Sequence, residues 1–204
     1  MSAVVQHLLP GFDNPVDAAQ QVFRELLRAM AEPGVTCRAE AASRHPQALD
    51  AASYAIALCL FDQDTRLKLV DGVNSPEARD SLRFHNSVNL VDVWQQADFV
   101  ICDEEETPDL EILNPGSQAF PDESCTLIIQ CDSLTEGTLY SATGPGIEHV
   151  RYLRCSGLNS SLLRQREAMA QRFPLGIDII LTCDREFFCL PRGVRVGVAQ
   201  NQTG

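Results

Sequence analysis

Four short segments hold the residue types that could do chemistry. The first, Leu82-Arg83-Phe84-His85-Asn86, gathers an Arg, a His and an Asn. Such a set can bind a phosphate or shuttle a proton, because a guanidinium offers forked donors and an imidazole titrates near neutrality. Equally, Arg83 and His85 at a helix C-terminus would do no more than complement the helix dipole. The second, Ala142-Thr143-Gly144-Pro145-Gly146-Ile147, carries two glycines whose backbone amides can approach an anion. Pro145 removes one donor, no clear helix follows and there is no Lys, so it is neither a Walker loop nor a dinucleotide fingerprint. A plain turn explains it as well. The third, residues 115–121, is a loop stiffened by two prolines and a glycine that could present Ser117. The fourth, Phe173-Pro174-Leu175-Gly176-Ile177-Asp178, leads into an apolar run. An acid there that faces the core must be paired, and an Arg is the fitting partner. Arg83, His85, Gly144, Gly146 and Asp178 are therefore the anion-binding candidates; none sits in a strong motif.

Other chemistries are disfavoured by what the chain contains. Of 16 basic residues only Lys68 is a lysine, so any Schiff-base mechanism must use it. Lys68 lies between Leu67 and Leu69, which predicts an outward-pointing strand position. The 8 cysteines form no CxxC pair and sit mostly in apolar segments, as reduced core thiols do. Zinc ligand pairs, HExxH and a Ser-His-Asp order are missing as well, so no metal and no cofactor are expected.

Charge excludes a further class. The formal net charge is −12, and no Lys or Arg occurs between Phe84 and Val150 against 13 acidic residues. A chain whose middle third repels phosphates is a poor nucleic-acid binder, which needs a basic surface. The last third is richer in Arg, and Arg151, Arg154, Arg164, Arg166 and Arg172 could supply a contact surface for a partner. No apolar run reaches the length of a spanning helix, so no membrane is expected. The start, MSAVVQHLLPGF, has no basic lead and too short an apolar core for a signal peptide, which points to the cytoplasm.

Positioning elements follow from periodicity. Residues 15–31 read as a helix with Asn14 at the cap, Pro15 at the first position and Pro33-Gly34 as the stop. Val16, Ala19, Phe23, Leu26, Leu27 and Met30 form its expected apolar face. Further helices are expected at about 47–61, at 76–84 behind the cap Ser75, at 108–113, and at 160–172 behind the cap Asn159. Strands are expected in VTCRAE, TRLKLVDG, DFVICD, CTLIIQC, GTLYSATG, HVRYLRC, IDIILTC, EFFCLP and GVRVGVA. CTLIIQC and GTLYSATG read as a hairpin turning at Glu136-Gly137, and IDIILTC and EFFCLP as another across Asp184-Arg185. The polar tail QNQTG should fray, and its Asn201-Gln202-Thr203 triplet would go unglycosylated in the cytoplasm. The interleaving predicts a single α/β domain over 1–204, a three-layer sandwich around a mixed sheet.

Five segments in this order resemble the H subunit of the bacterial carbon–phosphorus lyase core complex: FRELLRAMAEPG (23–34), SLRFH (81–85), GPGI (144–147), FPLGIDIILTC (173–183) and LPR (190–192). The resemblance spans nearly the whole chain, while the acidic stretch 103–111 and the residues after Ala199 look peculiar to this sequence. It implies a fold like the large domain of pyridoxal-phosphate-dependent transferases, without the cofactor. It implies a homodimer joined to G, I and J subunits, with ATP and phosphonate handled by the complex. With the G, I and L proteins, such a subunit supports displacement of adenine from ATP by a phosphonate, giving a ribose 1-phosphonate 5-triphosphate. The nucleosidase chemistry falls to the I subunit, and no catalytic residue of an H subunit carries over. Two other readings remain open: an independent nucleotide or phosphonate binder using Arg83 and His85, and a pyridoxal-phosphate enzyme dependent on Lys68.

Overall fold

The structure is a computed structural model that describes residues 8–199. The tail 200–204 with its Asn201-Gln202-Thr203 triplet, and the first seven residues, lie outside that range. In chain order the elements are α1 (Pro15–Ala31), β1 (Cys37–Arg38), α2 (Ala51–Leu60), β2 (Arg66–Leu69), α3 (Pro76–Asn86), β3 (Asn89–Leu90), β4 (Phe99–Asp103), β5 (Thr126–Gln130), β6 (Thr138–Thr143), β7 (Arg151–Cys155), α4 (Ser160–Ala170), β8 (Asp178–Cys183), β9 (Glu186–Leu190) and β10 (Arg195–Val198). A single 3-10 turn occupies Leu110–Ile112, where a short helix was expected, and another occupies Trp94–Gln96.

The middle residues of β4, β5 and β8 are apolar because both faces of these strands are covered. Ile101, Ile128 and Ile180 point to one side, with α1, α2 and α3. Their neighbours Val100, Cys102, Leu127, Ile129, Ile179 and Leu181 point to the other. That second side is closed by a smaller sheet and α4, through Tyr140, Ala142, Leu153, Cys155, Leu162 and Leu163. Each fully buried Ile or Leu contributes about 2 kcal/mol of transfer free energy, so the middle strands anchor both cores.

The large sheet has the order β1-β9-β8-β5-β4-β2-β3. β8, β5, β4, β2 and β3 run parallel, while β9 is antiparallel to both β8 and β1. The smaller sheet is antiparallel, in the order β10-β6-β7. A mixed sheet between two covering layers is therefore present. The expected hairpin of residues 125–131 with 137–144 is not. β5 is bonded on both sides by parallel neighbours, β4 and β8, and has no free edge. β6 crosses instead to the second layer and pairs with β7 and β10. The hairpin of β8 and β9 does form, with Asp184 at φ 50° in the turn.

Caps account for where helices begin. Ser75 Oγ accepts from the amide of Ala78 at 3.1 Å at the start of α3. Asn159 Oδ1 accepts from the amide of Leu162 at 2.9 Å at the start of α4. Asn14 holds the cap position of α1 without a side-chain cap bond; its amide nitrogen donates to Asp17 at 2.5 Å instead. α1 differs from expectation in the face it buries. Ala18, Val22, Leu26 and Ala29 point inward, whereas Val16, Phe23 and Leu27 point to solvent. The small residues let the helix lie close to the sheet and to α2. Lys68 points outward from β2, as its place between two buried leucines requires; it donates to the Asp92 carbonyl at 3.0 Å and lies 4.5 Å from the Trp94 ring centre.

Candidate functional site

In an open parallel sheet, ligands bind beyond the carboxyl ends of the strands. Here β4 ends at Asp103 and β5 at Gln130, with Thr182 near the end of β8. Asp50, the residue before α2, leans over the same edge. Asp50, Asp103 and Gln130, with Glu104, Glu105, Cys131 and Asp132, line a cleft of about 340 Å³.

A hydrogen-bond network fixes the floor. The Gln130 side-chain amide donates to Asp103 Oδ1 at 2.9 Å and to the Ala48 carbonyl at 3.1 Å. Its oxygen accepts from the Asp50 amide at 2.6 Å. Thr182 Oγ1 donates to Asp50 Oδ2 at 3.0 Å and lies 2.9 Å from Ser53 Oγ. At the rim, Glu104 Oε2 accepts from the Asp132 amide at 3.1 Å and from Ser156 Oγ at 2.5 Å. Burial pushes the Asp50 carboxyl up to about 6; the Thr182 hydrogen bond opposes that shift, and the neighbouring charges of Asp103 and Asp184 add to it. Asp50 can therefore hold a proton well above the usual carboxylate range. No Lys or Arg lines the cleft. Its charge repels a triphosphate, and among the described residues no His, Cys, Asp and Glu group is arranged to hold a metal ion.

The residues singled out from sequence lie elsewhere, in three places. Arg83 and His85 are on the last turn of α3, where His85 Nε2 lies 2.7 Å from the Leu9 carbonyl. Gly144 and Gly146 have φ of 137° and 82° in the turn after β6. A Cβ on Gly146 would run into the carbonyl oxygen of Ala31, so this loop is pressed against the end of α1. α3 meets the other end of the helical layer: Asn86 Nδ2 donates to the Phe61 carbonyl after α2 at 2.8 Å, and Cys59 Sγ to the Ala19 carbonyl at 3.3 Å. Ala19 and Ala31 are 12 residues apart in α1, about 18 Å along its axis. The two glycines are thus not brought to the Arg83 and His85 pair. Asp178 is paired with Arg192, as a strand acid facing the core must be: the nearest oxygen and nitrogen are 2.5 Å apart.

Two further expectations take a definite form. Arg166 was grouped with the Arg residues of a contact surface, but it is buried. Its guanidinium donates to the carbonyls of Ile177, Pro191 and Val194 at 3.0, 3.0 and 3.1 Å. Burial lowers its pKa to about 10. All 8 cysteines are free, and burial raises the Cys102, Cys125 and Cys155 thiols to about 12, which makes them unreactive.

The acidic edge was legible only in retrospect. DFVICD and CTLIIQC each end an apolar run on a polar residue, Asp103 and Gln130. That signal acquires meaning once the two strands are known to be parallel neighbours, and the hairpin expectation concealed it.

The sequence profile of the bacterial phosphonate metabolism protein (PhnH) family matches residues 10–197. The chain belongs to that family. It is similar to the subunit PhnH of alpha-D-ribose 1-methylphosphonate 5-triphosphate synthase from Rhizobium meliloti (strain 1021), with 32% identity over 197 residues, 96% of this chain and 98% of the relative. It is also similar to the protein HtxG of Stutzerimonas stutzeri, with 30% identity over 184 residues, 88% of this chain and 86% of the relative. The family's matched region contains every element from α1 to β9 and nearly all of β10. No helix among the described residues is long and apolar enough to cross a membrane.

Proposed function

We propose that this chain is an accessory subunit of a cytoplasmic phosphonate-processing complex, in which a phosphonate displaces adenine from ATP to give a ribose 1-phosphonate 5-triphosphate. It works as a pair of identical subunits joined to G, I and J subunits, and it contributes shape and docking surface rather than bond-making groups. The near end-to-end similarity to the Rhizobium meliloti synthase subunit carries this reading.

Charge placement supports the accessory role. A triphosphate needs several converging cations or a metal held by carboxylates. The cleft at the sheet edge is lined mostly by acids. Arg192 is committed to Asp178, Arg66 to Asp98 at 2.5 Å, and Arg166 to three backbone carbonyls. The test is reconstitution. Purified chain with ATP and methylphosphonate should release no adenine, and adding the G, I and L proteins should start release that stops when this chain is withheld. Adenine release by this chain alone would overturn the reading, as would full activity of the other proteins without it.

A further inference from the structure

The outward side of α1 carries an apolar stripe. Val16, Phe23 and Leu27 are 65%, 48% and 54% exposed. At 3.6 residues per turn they fall within an arc of about 40°, so they form one ridge rather than scattered points. Exposed apolar residues are ordinary singly, whereas a ridge on one helix marks a contact surface. Asp17, Arg24 and Arg28 border the ridge and are exposed.

The spacing of these residues is self-complementary. In an antiparallel pair of helices related by a two-fold axis, each contact occurs twice, with the two residue numbers exchanged. Placing Val16 against Leu27 of a second copy sets Gln20 beside Phe23 of that copy. The same register puts Asp17 opposite Leu26 of the second copy, in the interval between its Arg24 and Arg28. Both ends of the seam then join an acid to two guanidinium groups. A parallel two-fold pair would instead set this charged flank beside the flank of the other copy that carries Ala19, Leu26 and Met30, so Asp17 would meet neither arginine. An unrelated partner would have no need of this internal match.

We propose that α1 is the seam between two copies of this chain, packed antiparallel about an axis passing between Gln21 and Val22. The inference rests on the reading that the subunit works as a pair, and it names the surface. Analytical ultracentrifugation of the full chain across a micromolar concentration series tests it. The unaltered protein should sediment as a dimer, and Leu27→Asp, folded by circular dichroism, should weaken pairing about 100-fold or more, the loss expected at the centre of an interface. Asp17→Arg should weaken it about tenfold, and the triple variant Asp17→Arg, Arg24→Asp, Arg28→Asp should recover that loss. A dimer indifferent to a folded Leu27→Asp protein overturns the seam and leaves the paired-subunit reading intact. A protein that stays monomeric throughout overturns both. If Leu27→Asp does not fold, the charge variants decide: an Asp17→Arg protein that pairs as tightly as the original overturns the antiparallel arrangement.

Discussion

Arg192 grips Asp178 with its backbone and its side chain together. The Arg192 amide donates to Asp178 Oδ1 at 2.6 Å, while Nη2 donates to Oδ2 at 2.5 Å. Nη1 reaches on to the Pro121 carbonyl at 2.5 Å. The pair thus ties the start of β8, the exit from β9 and the loop before β5 at one point. Both side chains are mostly buried, at 17% and 18% exposure.

Removing one partner of such a pair leaves the other charged and poorly solvated. Asp178→Asn should therefore cost about 3 kcal/mol, as breaking a buried pair does. In a domain of this size that lowers the thermal midpoint on the order of 10 °C. Calorimetry or thermal circular dichroism checks it. An Asp178→Asn protein as stable as the original would mean that the Pro121 and amide contacts suffice without the charge.

The helix caps make a smaller and more local prediction. Ser75→Ala and Asn159→Ala each remove a side-chain acceptor from an amide at the start of a helix. Each should lower unfolding free energy by about 1 kcal/mol in urea titrations. The sites lie on opposite sides of the large sheet, so the double variant should lose the sum.

These caps also mark what was readable before the fold was known. Ser75 and Asn159 announce helices because a short polar side chain next to an apolar periodic run has few other uses. The paired state of Asp178 was legible for a similar reason: burial of an isolated charge is too costly to occur. Strand partners were not legible in the same way. Residues 125–131 and 137–144 are adjacent in sequence and suit a hairpin, yet β5 finds parallel partners at both edges through long connections. Local pattern carries no information on which distant strand competes for an edge. The apolar count on α1 failed likewise. Its periodicity revealed a helix, but two apolar arcs are present and only packing decides which one faces the sheet.

Asp50 gives the cleft a pH signature. Its carboxyl is raised from 3.8 to about 6 in the folded protein, chiefly by burial. Between these values the folded state binds more protons than the unfolded chain, so stability falls as pH rises from about 4 to about 6 and the cost then levels off. The open cleft screens the charge, which limits the loss to about 1 kcal/mol. Asp50→Asn can still accept from Thr182 and removes the titration. Urea midpoints of the original protein and the variant should therefore diverge in the variant's favour between pH 4 and 6. Parallel curves would place the Asp50 pKa at its ordinary value.

Nucleotide binding by the isolated chain is the remaining prediction. His85 holds the chain at Leu9 through its ring nitrogen, and Gly11 packs against the same ring. Arg83 on the same turn is exposed, and the glycine loop sits at the far end of α1. A triphosphate at α3 would thus meet one guanidinium that has no partner among the described residues, which is worth little in water against competing salt. Calorimetric titration of the folded protein with millimolar ATP or methylphosphonate should give no binding heat. His85→Ala should instead loosen the segment around Leu9, seen as faster cleavage there by a nonspecific protease. Saturable ATP binding lost on Arg83→Ala would show that this helix end is an anion site after all, and the accessory role would have to yield to a nucleotide-binding one.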